Sequence, residues 1–141
     1  RDFGLDGRPA AAVPDAARAD AAFAAAVIAA DPTVAARIDP LRAARTEHAA
    51  ALDAEIVRVG GVPSTATPST APAVGTTGPS APAGATGTAA PAPAATVARM
   101  REAVAASQRG AAGLVPDLPA ERVGLVASVA ACCATYAAVL A

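Results

Sequence analysis

The 141-residue chain has one histidine, His48, two adjacent cysteines, Cys132 and Cys133, and one tyrosine, Tyr136. Imidazole, thiolate and carboxylate are transition-metal ligands, and a thiol beside an imidazole can act as a nucleophile. Spacing decides among these chemistries. A di-iron carboxylate centre in a helical bundle takes a Glu from each of two helices and a Glu-x-x-His pair from each of the other two. Here Glu47 stands next to His48 rather than three residues before it, and no Glu-x-x-His occurs. A mononuclear site would have to combine His48, Cys133 and a carboxylate. Haem held by His48 and Met100 would need room that Ala-rich helices, packed near the close end of the roughly 8–10 Å range, do not leave. Cys132 and Cys133 have no base near them in sequence and lie in apolar text, which raises a thiol pKa. The sequence therefore assigns no catalytic residue, no metal ligand and no cofactor.

What remains is an interior polar cluster of Arg45, His48, Cys133 and Tyr136, expected near the middle of a packed set of helices. Arg45 lies one turn before His48 on the same stripe. A buried guanidinium needs an acid, and Glu55 and Glu102 are the candidates by composition, with Glu102 the weaker because it points to a solvated face beside Arg99. A buried Tyr136 ring needs a partner for its hydroxyl, and His48 is expected to supply one. Adjacent cysteines on a helix point about 100° apart, so Cys132 and Cys133 are badly placed to bridge each other.

Four helices must position these residues. Asp15 after Pro14 opens an Ala-rich run to Ala30, with Ala22, Phe23, Ala26, Val27 and Ala30 at helical spacing. Asp31-Pro32 stops it and restarts the chain, since Asp caps a helix and Pro suits its first position. Asp39-Pro40 repeats the device. The second helix covers about 33–59, with Leu41, Arg45, His48, Leu52 and Val59 on one stripe and Gly60-Gly61 at its end. A third is expected over 94–112, with Val97, Met100, Val104 and Ala111 inward. The fourth covers 118–141, where Val126, Val129, Cys133, Tyr136 and Leu140 recur at spacings of 3, 4, 3 and 4. Residues 1–14 show no helical period and read as a tether.

Residues 60–93 carry no charge and are rich in Gly, Pro, Ser, Thr and Ala. They divide the chain into two helical hairpins joined by one long disordered crossover, the layout of an all-α four-helix bundle. Flexible chain of that size has a root-mean-square span of roughly 30–35 Å. A helix over 41–59 is about 28 Å long, so the crossover can return along the bundle. Pro-Ser-Thr at 63–65 and 68–70 is also the text of an O-glycosylated, exported segment.

Composition excludes other classes. The basic residues are all Arg, spread along the chain, and the net charge is -1, which argues against a nucleic-acid partner. The absence of Lys and Asn beside abundant Ala, Arg, Gly and Pro points to a high-GC bacterial genome. From Val123 to Ala141 no residue is charged, which meets the crude length criterion for a membrane-spanning helix. Few of its residues drive insertion strongly, so a buried bundle helix is the leading reading and a tail anchor the rival.

The run AADPTVAARIDPLRAARTEHAAALDAEI (29–56), with RMREAVAASQRGAAGL (99–114) and LVASVAACCATYAAVLA (125–141) after a Pro-rich stretch, resembles the ferritin-like domain of actinobacterial exported proteins and lipoproteins. The resemblance covers most of 15–141 and implies a ferritin-like four-helix bundle and an extracytoplasmic location. It also implies membrane attachment through a removed N-terminal segment ahead of Arg1. Members often place two His three apart in the second helix, where this chain has Arg45 and His48. They often carry Glu and His three apart in the last helix, where it has Cys133 and Tyr136. A degenerate metal site is thus expected, in a non-catalytic module with an unidentified protein or small-molecule partner. The alternatives are a metal-binding redox protein and a protein tail-anchored through 123–141.

Overall fold

The computed structural model describes residues 8–64 and 94–141. They are helical and include no strand: α1 is Arg8–Ala30, α2 Ala35–Arg58, α3 Val97–Leu114 and α4 Ala120–Val139. α1 packs along α2 and α3 along α4, giving two hairpins. α1 also packs against α3, whereas α2 touches α4 sparsely. Polar contacts fix the α2–α4 seam at its ends, where Arg37 donates to the Val139 carbonyl at 2.9 Å and Arg122 approaches Glu55 at 3.4 Å. The two helices therefore run antiparallel.

Local chemistry explains most of the boundaries. Asp31 accepts from the Thr33 backbone at 3.0 Å, and Pro32 opens a 3-10 turn over Pro32–Val34 that reverses the chain. Thr96 caps α3 by accepting from the Arg99 backbone at 3.2 Å. Gly60 ends α2 at φ 81°, with Gly61 N–H bonded to the Ile56 carbonyl and Gly60 N–H to that of Val57. These are the two hydrogen bonds of a Schellman cap, which needs a left-handed residue where glycine sits without strain.

Two proline readings are corrected. The tether assigned to 1–14 is helical from Arg8 onward, and Pro14 lies inside α1. Its ring is fully buried, so packing offsets the backbone hydrogen bond that proline cannot donate. Asp39-Pro40 does not restart a helix, because α2 passes through Pro40 and Asp39 instead pairs with Arg42 at 2.6 Å. Most of the 60–93 crossover, from residue 65 onward, lies outside the described residues.

The core is thin and aliphatic: Val27, Ile38, Leu41, Met100, Val104, Val129 and Cys133 are its largest fully buried apolar side chains besides Pro14. The expected stripes of α3 and α4 face inward, with Met100, Val104, Ala111, Val126, Val129, Cys133 and Leu140 buried and Val97 and Tyr136 half-buried. The face expected for α1 is rotated. Ala22, Ala26 and Ala30 are exposed, while Val13, Ala17, Asp20, Ala24 and Val27 form the buried stripe.

Candidate functional site: a buried arginine network

Rotation of α1 brings Asp20 inside, and the interior is organised around it. Ile38, Leu41, Arg45, Ala49 and Leu52 are the buried side of α2, so Arg45 enters the core on the same face as the apolar residues. Arg45 is 1 % exposed and Asp20 6 %. The guanidinium addresses a single carboxylate oxygen: Nε donates to Asp20 Oδ2 at 3.0 Å. Nη2 lies 2.8 Å from the same oxygen without making a hydrogen bond to it. Ser107 of α3 donates its hydroxyl to Oδ2 at 2.6 Å. One oxygen of α1 therefore ties α2 and α3 together in the interior, where pairing is what makes burial of the charges tolerable.

His48 extends the network toward the surface. Its Nδ1 lies 3.2 Å from Arg45 Nη1. A guanidinium only donates, so Nδ1 must be the acceptor and the neutral ring must carry its proton on Nε2. Burial, and then the Arg45 charge, lowers the His48 pKa, with Glu47 opposing weakly.

Of the expected cluster, Arg45 and His48 are in direct contact. Cys133 is fully buried on α4, close enough for the Arg45 and Asp20 charges to bear on it, and burial pushes its thiol up to about 11. Half-buried Cys132 is also raised, chiefly by burial. Tyr136 is half-buried, and no hydrogen bond joins it to His48 among the described residues. The partner expected for its hydroxyl is thus not found there.

The acid expected for Arg45 is also corrected. Glu55 pairs with Arg58 at 2.5 Å and faces Arg122, and Glu102 pairs with Arg99 at 2.9 Å on the exposed surface. Asp20 was hidden because α1 is so rich in alanine that hydrophobic periodicity does not choose its inner face. The 4, 3, 4, 3 spacing of Val13, Ala17, Asp20, Ala24 and Val27 was the available signal.

The arrangement is structural in its chemistry. Ser107 hydrogen-bonds to a carboxylate already committed to Arg45, and no histidine stands in the base position a nucleophilic relay requires. Among the described residues no group of three or more His, Cys, Asp or Glu side chains gathers where a metal could sit. Beside the network a cleft of about 350 Å³ opens between α1 and α3, lined by Ala12, Val13, Ala16, Ala106, Gly110 and Leu114 with Arg45 and Ser107. No family model matches the chain, and neither do any of the curated proteins or solved structures compared with it.

Proposed function

We propose that this chain is a non-catalytic helical-bundle module of the cell envelope, built on a ferritin-like plan whose metal site has degenerated into an ion-pair network. The observation that carries the reading is Arg45, a permanent cation 1 % exposed at mid-bundle and bonded to Asp20. A dication entering the interior would meet that positive charge and find Asp20 already neutralised, so its lost hydration would go uncompensated. The extracytoplasmic location and lipid attachment belong to the same proposal and rest on the resemblance in 29–56, 99–114 and 125–141. Its partner would be a protein or a small molecule.

Zinc, ferrous iron and manganese titrations of the purified chain test the proposal through the melting temperature. The expected result is no change in wild type and retention of fold in His48→Leu. A metal-dependent rise of several degrees that disappears in His48→Leu would restore the metal-binding redox reading.

One observation favours a second reading. α4 is long and apolar enough to cross a membrane, and 22 % of its apolar stretch is buried in the protein. The core helix of a soluble protein passes the same test of length and composition. Flotation of the chain with phosphatidylcholine and phosphatidylglycerol vesicles, lost on replacing Val129 and Ala130 by Asp, would support a tail anchor. A chain that stays soluble without detergent and does not float would remove it.

A further inference from the structure

Histidine is the side chain whose ordinary pKa lets it exchange a hydrogen-bond acceptor for a donor near neutral pH. His48 is placed where that exchange has a mechanical consequence. Its Nδ1 accepts a hydrogen bond from Arg45 Nη1 at 3.2 Å, and Arg45 stays protonated throughout. The bond therefore exists only while His48 is neutral at Nδ1. Arg45 is 1 % exposed, so water screens its charge poorly. A second cation one helical turn away would stand beside that charge, while Asp20 is already paired with Arg45.

The surroundings offer little relief. On α2 the charged neighbours are Arg45 and Glu47, and Glu47 is exposed and weaker in effect than burial and Arg45. From α1 comes Asp20, whose Oδ2 already receives Arg45 and Ser107. α3 contributes Ser107, while its Arg101 and Arg109 are exposed. α4 contributes Cys132, Cys133 and Tyr136, all of whose pKa values burial raises, so they stay neutral in mild acid.

One bond of the network, Ser107 to Asp20, crosses the main joint between the hairpins, while Arg45 and Asp20 pair within the first hairpin. Asp20 and Ser107 meet at 2.6 Å between α1 and α3, and α2 packs only sparsely on α4. We infer that His48 is a proton-operated latch on that network, holding Arg45 against Asp20 while neutral and, when protonated, disturbing the carboxylate oxygen through which α1 meets both α2 and α3. Acid would thus loosen the packing of α1 around Asp20, against α2 and α3 alike, while the helices persist.

The folded pKa of His48 lies below the unfolded value of about 6.5, so the folded state binds fewer protons in that window. The stabilisation is complete above the unfolded value and is lost as pH falls through it toward the folded value. His48→Asn keeps an acceptor about where Nδ1 lies and never gains a charge. Thermal melting and amide hydrogen exchange of the full chain, compared between pH 7.5 and pH 5 for both proteins, test the latch. The wild-type melting temperature should fall by a few degrees, and the protection of amides around Asp20 and Ser107, taken relative to the intrinsic exchange rate at each pH, should drop several-fold, while His48→Asn shows neither change. Nitrogen chemical shifts of wild-type His48 should report an Nε2–H tautomer and titration below about 6.5. Equal acid loss in both proteins, or titration of His48 at or above that value, would overturn the inference, and the wild-type titration decides it even if the variant does not fold.

Discussion

Asp20 and Arg45, 25 residues apart and on different helices, meet through one carboxylate oxygen, with Nε at 3.0 Å and Nη2 at 2.8 Å from it. Removing one charge leaves the other buried without its counter-ion. Asp20→Ala is therefore expected to cost about 3–5 kcal/mol, a large share of the roughly 5–15 kcal/mol typical of a small domain. Replacing both, as Asp20→Leu with Arg45→Met, should come within about 1 kcal/mol of wild type or exceed it. Urea unfolding of the three proteins checks this. A single variant as stable as wild type would show that the pair is hydrated.

Two glycines should respond in opposite directions to the same change. A Cβ at Gly110 of α3 meets nothing within 4 Å. Gly110→Ala should stabilise the protein by about 0.5–1 kcal/mol through the lower backbone entropy of its unfolded chain. Gly60, at φ 81°, has equal space but the wrong backbone for a side chain. Gly60→Ala should cost about 1–2 kcal/mol at the end of α2. Melting curves distinguish the two signs.

Pro40 is exposed and interior to α2, so its main effect is on the backbone. Pro40→Ala restores a donor to the carbonyl of Ala36 and removes a ring clash, a gain of up to about 3 kcal/mol in a helix interior. About 0.4–1 kcal/mol of it is offset because proline stiffens the unfolded chain. The net increase should be visible as a higher midpoint in urea with an unchanged slope.

Cys132 and Cys133 are neighbours with different fates. At pH 8 an alkylating reagent should modify half-buried Cys132 first, while Cys133, buried and pushed up to about 11, reacts only in denaturant. A raised thiol pKa also makes stability fall at high pH. The contribution is complete below the unfolded value of about 8.5–9 and is lost as pH rises toward 11. Cys133→Ala should flatten the loss between pH 9 and 11, and peptide mapping after labelling should assign the reactive thiol. Equal labelling rates in the native protein would contradict the burial of Cys133.

Legibility in the sequence followed the size contrast of the residues. On α3 and α4, Met100, Val104, Val126, Val129 and Leu140 stand out from Ala and small polar neighbours, so the inner face could be read. On α1 the alanines leave every face nearly equal, and the choice falls to packing of Val13 and Val27 and to the pairing of Asp20 with Arg45. That is why burial of Arg45 could be anticipated and its acid could not. Local turn chemistry was readable where it stood alone, at Asp31-Pro32 and Gly60-Gly61. It misled at Asp39-Pro40, where Leu41 and Ile38 bind the helix to the core on either side of the proline.

The sparse α2–α4 seam, pinned by Arg37 at one end and Arg122 at the other, bears on how the protein could be divided. Each hairpin is encoded in one continuous stretch and closed by its own turn, so its contacts are local and quick to form. The Asp20–Ser107 contact is made only when the second stretch docks. Supplied as two separate chains, 1–64 and 94–141, the halves would become a bimolecular pair. Their encounter would then depend on concentration rather than on the chain that joins them.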